Sequence, residues 1–343
     1  MIDTPPIIRH RIAITILIVV LAFAVNIASG AVSIPWCKLL FTPRSTSSEE
    51  LISLRFIVSL RLVHAGAAFF IGSALALAGA VLQRLLRNPL GDPFVLGVTS
   101  GGTLFAVAAM VLGLPFFVLG SPVRMIAALI GSIFSLGAML GVRRFIIRGD
   151  DAYAVPVAGM MLNALFGALL LLALVFADPS RISEAQRWLL GDIQAVNLHE
   201  MAAVAVLVIC ASLALIRLAP AIGALAFGED FARSLGFNAN LLRRAALLLC
   251  AILTAVVVSI AGSVGFVGLV VPHFARWFVR SHLAAEWVIS ALVGGALVLI
   301  ADALSRGIAA PTELPVGIFT AIIGVPALCI MAIRAGGSRD SNA

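Results

Sequence analysis

From Ala245 to Ala275 the chain runs for 31 residues without an Asp, Glu, Lys or Arg. A hydrocarbon core about 30 Å thick is crossed by roughly 20 helical residues, so this stretch is too long for one crossing. Gly262, Gly265, Gly268 and Pro272 interrupt it, which predicts one helix out, a tight turn and a second helix back. Similar runs recur along a chain that is 62% hydrophobic with a mean hydropathy of +1.14. They are continuously apolar and lack the period-two alternation of barrel strands, so the spanning elements are helices.

Ten spans result, at roughly 12–30, 61–84, 94–113, 123–144, 155–176, 198–217, 244–262, 265–280, 286–305 and 315–334. The chain thus reads as all-α, a polytopic membrane protein forming a single domain over 1–343. Ile12–Val25 follows Arg9 and Arg11, but no small-residue cleavage site stands out after it, so it is taken as the first span and not as a signal peptide. The tail Gly337–Ala343 is expected to be disordered. An even span count puts both termini on one side. With that side cytoplasmic, its segments hold 15 of the 23 Lys and Arg, a bias that supports cytoplasmic termini.

Charge excludes several functions. None of the 16 Asp and Glu falls near the middle of a span: Asp302 and Glu200 lie near outer ends and Glu286 near the inner end. Ion-coupled carriers usually keep ionisable groups near the midplane, so an internal proton or sodium relay is unsupported. There is one lysine, Lys38, and no phosphate-binding loop, so energy for moving a solute must come from another chain. The formal charge of +7 would suggest nucleic acid in a soluble protein. Here the arginines cluster at span ends and lack interleaved aromatics, which fits membrane orientation beside lipid and no nucleic acid. Cys37, Cys210, Cys250 and Cys329 predict neither a disulfide nor a metal cluster.

Two polar segments, 31–60 and 218–243, are long enough for more than a turn, and a third stretch reads as a short helix on the outer face. Residues 31–60, with Lys38, Arg44, Glu49, Glu50 and Arg55, should lie outside. Asp178–Val196, with Arg181, Glu184, Arg187 and Trp188, looks like an interfacial helix anchored at the headgroups. Residues 218–243 should lie inside and contain GEDFARSLG (228–236), where Glu229 and Arg233 form an i, i+4 pair. That segment is either a solvated turn or a compact knob that seats in a partner's groove.

The segment NPLGDPFVLGVTSGG (88–102) stops one helix and starts the next with Pro89 and Pro93. Its small residues suit close helix packing; the sharper reading is a tight turn bordering a central pathway, narrowed by Asn88 and Leu90. Ser100 and His273 raise an intramembrane hydrolase, though nothing in the chain pattern brings them together. Asn163 reads as interhelical glue. Arg61 and Arg306 fall at outer span ends, as snorkelling anchors or as positive charge offered to an acidic partner.

These two segments, followed by GSVGFVGLVVPHFAR (262–276), ADALSR (301–306) and TELPVGIFTAIIGVP (312–326), stand in an order that resembles the FecCD-type permeases of bacterial ABC importers, which take up haem, ferric siderophores or vitamin B12. The likeness covers about residues 60 to 334. It implies a type II ABC importer permease of ten spans that forms a homodimer with its pathway on the axis. It also implies two cytoplasmic ATPase subunits carrying ATP and Mg, a periplasmic substrate-binding protein, and a place in the bacterial inner membrane. By the same resemblance Glu229, Asp230, Ala232, Arg233, Leu235 and Gly236 would form the coupling helix on the ATPase. Asn88, Pro89 and Leu90 would lie at the cytoplasmic gate beside Asp151 and Ala152, and Arg61 and Arg306 would meet the binding protein. No catalytic residue, metal or cofactor is expected in this chain. The family's Arg-Leu-Pro-Arg at the head of span two is here Arg61-Leu-Val-His64. His64 is read as a polar cap, with contact to an iron-bearing cargo as the alternative. Few fixed charges on the wall favour haem over ferric siderophore; cobalamin import and, further off, an ion-coupled carrier are the rivals.

Overall fold

The computed structural model describes residues 6–30, 48–114, 117–118, 121–146, 151–193, 196–279, 282–308, 310 and 312–340. Twelve helices are seen among them: α1 (Pro6–Ala28), α2 (Ser48–Leu85), α3 (Val98–Val111), α4 (Val123–Ile146), α5 (Asp151–Val175), α6 (Pro179–Leu189), α7 (Leu198–Ala226), α8 (Glu229–Ser234), α9 (Ala239–Ala261), α10 (Val267–Phe278), α11 (Leu283–Gly307) and α12 (Val316–Asp340). A 3-10 turn, Pro93–Leu96, precedes α3, and a two-residue pairing, Phe117–Val118 with Ser121–Pro122, lies between α3 and α4. The all-α membrane architecture is as expected. Each expected span coincides with a helix, and seven of them are long and apolar enough to cross a membrane alone.

Local chemistry sets the helix starts. Asn197 and Glu200 form a reciprocal capping box on α7, with Glu200 N to Asn197 Oδ1 at 2.9 Å and Asn197 N to Glu200 Oε2 at 3.1 Å. Asn238 caps α9 by accepting from Leu241 N at 3.1 Å. Pro179 opens α6 behind Asp178.

Four details differ from expectation. α2 begins at Ser48, so Glu49, Glu50 and Arg55 belong to its first turns and not to a loop; Lys38 and Arg44 lie outside the described residues. α7 continues to Ala226 through Pro220. α12 runs to Asp340, beyond Gly337 where a disordered tail is predicted. The eighth span holds a short helix: α10 has 12 residues, roughly 18 Å, and 262–266 reaches it as non-helical backbone.

The core is built around α2, 83% of whose apolar window is buried, against 22% for α1, α5 and α7. Glycines make this enclosure. A Cβ on Gly72 would stand 2.1 Å from Gly294 O, and one on Gly79 would stand 1.9 Å from Gly268 O, so the backbones of α11 and α10 touch α2 directly. Close backbone approach through small residues is how helices gain contact where lipid offers no hydrophobic drive.

The bundle has two chemically distinct ends. At one, here the α8 end, the C-termini of α2, α7 and α10 meet the N-termini of α1 and α11. Arg11 donates to Phe278 O. Glu286, 2% exposed, lies 2.7 Å from Arg84 and 3.6 Å from Arg276, while Arg276 Nη2 donates to Gln83 Oε1 at 2.8 Å. This ties α2, α10 and α11 together. At the opposite, α6 end, Asp192 N donates to Ala261 O at 2.9 Å and Val316 N to Gly191 O at 3.0 Å.

Candidate functional site

At the α8 end, α8 stands between two bends. Gly228 precedes it at φ +135°, and Gly236 ends it at φ +83°. Gly236 N donates to Arg233 O at 2.9 Å and Phe237 N to Ala232 O at 3.0 Å, the paired bonds of a Schellman stop, whose left-handed residue is most cheaply glycine. The helix is braced by charge: Arg233 reaches Glu229 at 3.0 Å and Asp230 at 3.4 Å, and Arg243 of α9 reaches Glu229 at 2.8 Å. Ala232 is buried, fixing one face to the bundle. The other face is open and apolar: Phe231 and Leu235 are 49% and 54% exposed, and Phe227 packs edge-on to Phe231 at 5.7 Å. Beside it lies an open concavity of about 420 Å³ lined by Arg233, Gly236, Phe237, Asn238, Ala239 and Asn240. A rigid knob with an oily tip and an adjoining notch has the surface of a docking element.

The 88–90 turn sits at the same end. Asn88 Oδ1 accepts from Leu90 N at 2.9 Å and Asn88 O accepts from Gly91 N at 2.9 Å, an Asx turn. Asn88, Pro89 and Leu90 are all exposed, Leu90 by 61%. Asp92 turns inward and caps the 3-10 turn, accepting from Phe94 N at 2.8 Å. Burial pushes its carboxyl up to about 6, against the pull of that N–H. Asp151 and Ala152 open α5, but their side chains lie outside the described residues.

The outer arginines require a correction. Arg61 and Arg306 are 7% and 6% exposed, not open charges facing outward. Arg306 donates from Nε and Nη2 to Asp302 Oδ2 at 3.1 and 2.6 Å, and from Nη2 to Asn26 Oδ1 at 2.8 Å. Arg61 Nη1 donates to Ile27 O at 2.9 Å. Both guanidinium groups sit on the carbonyl-rich C-terminus of α1, where cations are favoured. Asn26 completes the cluster by donating to Asp302 Oδ2 and Leu299 O, each at 2.8 Å. Sequence reading missed Asn26; a buried amide one turn from a helix end is the signal it offered. His64 is half-buried on α2.

Trp188 is likewise no headgroup anchor: it is 3% exposed, with Arg124 stacked 5.5 Å over its ring. Ser100 and His273 are not partners. Ser100 Oγ lies 2.7 Å from Asn163 Oδ1, while His273 Nδ1 lies 2.8 Å from Leu269 O. Asn163 is the expected glue, bridging α5 to Ser100 and, through Nδ2, to Phe94 O at 2.9 Å. Cys210, Cys250 and Cys329 are free; Cys37 lies outside the described residues.

A bundle with seven helices long and apolar enough to cross a membrane, carrying a braced short helix and an exposed turn at one end, is the architecture of a polytopic membrane protein. The chain belongs to the FecCD transport family, whose model matches residues 16–334. It is 34% identical over 93% of its length to the Fe(3+)-citrate import system permease protein YfmD of Bacillus subtilis, 93% of which is covered. It is 32% identical over 88% of its length to the cobalamin import system permease protein BtuC of Halobacterium salinarum, 80% of which is covered. A solved inward-facing metal-chelate type ABC transporter matches with a TM-score of 0.80 at 25% identity, covering 95% of this chain and 99% of that one.

Proposed function

We propose that this chain is the membrane-spanning subunit of an ATP-driven ABC importer for an iron chelate. It works as a homodimer with its pathway on the axis, in a bacterial inner membrane, with both termini and the α8 end in the cytoplasm. Two cytoplasmic ATPases holding ATP and Mg dock on α8, and a periplasmic substrate-binding protein delivers cargo to the α6 end. The observation that carries the reading is α8 itself: six residues, cross-braced by Glu229, Arg233 and Arg243 and exposing Phe231 and Leu235. The Arg233 pairs lie on an exposed surface and add little stability. Their use here is stiffness, so that a push on α8 moves α7 and α9 and is not lost in bending. Closure of the ATPases then drives the dimer from outward to inward access.

The cargo follows from kinship and from wall chemistry. The related permeases above are named for ferric citrate and cobalamin. Spans with few fixed charges suit a bulky, partly apolar chelate, so haem is tested ahead of ferric siderophores, with cobalamin as the alternative. The test is uptake in proteoliposomes holding the permease, its ATPases and its binding protein, with absorption spectra of the binding protein against each chelate. ATP-dependent accumulation of one chelate supports the reading. Accumulation by the chain alone under an ion gradient overturns it.

A further inference from the structure

The end of α2 carries an unusual residue in a position that glycine normally fills. Asn88 N donates to Gln83 O at 3.2 Å and Arg87 N to Arg84 O at 3.3 Å, so α2 closes with the same paired bonds that close α8. In α8 the left-handed residue is Gly236; in α2 it is Arg87, at φ +48°. A side chain there costs free energy that glycine would spare, and such strain persists where the side chain has work to do.

The work is visible in its contact. Arg87 Nη2 donates to Leu225 O at 3.1 Å, across 138 residues of chain. The same carbonyl accepts from Gly228 N, also at 3.1 Å, and Gly228 is the residue that leads into α8. One oxygen therefore receives both the residue before the 88–90 turn and the residue before α8. The two mobile devices of the proposed importer are otherwise on separate connections, α2 to α3 and α7 to α9.

We propose that Arg87 is a positioning residue that transmits displacement of α8 to the 88–90 turn through the Leu225 carbonyl. When the ATPases move α8 and Gly228, Leu225 O moves with them and draws the guanidinium of Arg87, whose backbone leads directly into the gate turn. The proposal rests on the importer reading above. It adds a path: the gate follows the docking helix by a direct side-chain strut and not solely by whole-helix tilting of α7.

The test is Arg87→Gly in the complete transporter in proteoliposomes, read as cargo taken up per ATP hydrolysed, together with the thermal midpoint of the purified complex. Glycine relieves the backbone, so the midpoint should stay or rise, while uptake per ATP should fall about tenfold, the factor lost with one charge-assisted hydrogen bond. Arg87→Lys keeps a donor without the fork and should recover part of the ratio; Arg87→Ala should not. A wild-type ratio in Arg87→Gly overturns the proposal. So does a fall in the midpoint that tracks the loss of uptake in both the glycine and alanine variants, since that is the mark of a purely structural role. Absence of ATP-driven uptake in the wild-type complex would instead remove the importer reading, which keeps the two failures apart.

Discussion

Replacing Asp302 with alanine removes one carboxylate from a site where almost no water reaches. Asn26, Asp302 and Arg306 are 0%, 2% and 6% exposed. Asp302 Oδ2 alone accepts three hydrogen bonds, from Asn26 Nδ2 at 2.8 Å and from Arg306 Nε and Nη2 at 3.1 and 2.6 Å. Truncating one partner of a buried pair costs about 3–5 kcal/mol, because the remaining charge stays desolvated. Arg306 would keep Asn26 Oδ1 and the Asn26 and Ser29 carbonyls, so the loss should fall at the lower end, about 3 kcal/mol, on the order of a hundredfold in the folding equilibrium. The assay is reversible unfolding in mixed micelles, followed by tryptophan fluorescence. Asp302→Leu with Arg306→Met removes both charges and should return most of that stability, since apolar replacement of a whole buried pair is often neutral. A double-mutant cycle then gives a large coupling between the two positions. An Asp302→Ala loss under about 1 kcal/mol, or additive effects in the cycle, would refute the view that this pair bolts α11 to α1.

Other consequences follow from the same geometry. Gly79→Ala places a methyl 1.9 Å from Gly268 O and must part α2 from α10, costing about 1–3 kcal/mol, whereas Gly137→Ala, with nothing within 4 Å, should be neutral; unfolding midpoints compare the two. Asp92 holds its proton more tightly when folded, its carboxyl rising from 3.8 to about 6. Its effect on stability is therefore most favourable below pH 4 and declines by about 3 kcal/mol as pH rises through 6; Asp92→Asn should flatten that slope in unfolding measured from pH 4 to 7. Arg233→Ala should leave the melting midpoint nearly unchanged, since its pairs with Glu229 and Asp230 are exposed, while lowering uptake per ATP hydrolysed; an unchanged ratio would remove the stiffening role given to this brace.

What could be read in advance was what one dimension encodes. Uncharged runs of spanning length announced helices, and glycine, proline and capping residues announced their ends. Glu229 and Arg233 lie four residues apart, so their pairing needed only the helical repeat. The 88–90 turn was legible from Pro89, Pro93 and Asn88 for the same reason. The fate of Arg61 and Arg306 was not: both stand at span ends, and only packing decides whether such an arginine faces water or turns onto the carbonyls of α1. The Leu225 carbonyl gave no signal at all, because a backbone oxygen looks alike at every position in a sequence. Long-range acceptors, the burial of Trp188 and the strut from Arg87 depend on which helices become neighbours. That choice is made by glycine-to-backbone contacts such as Gly72 with Gly294 and Gly79 with Gly268, spread over a helix pair and invisible in either helix alone.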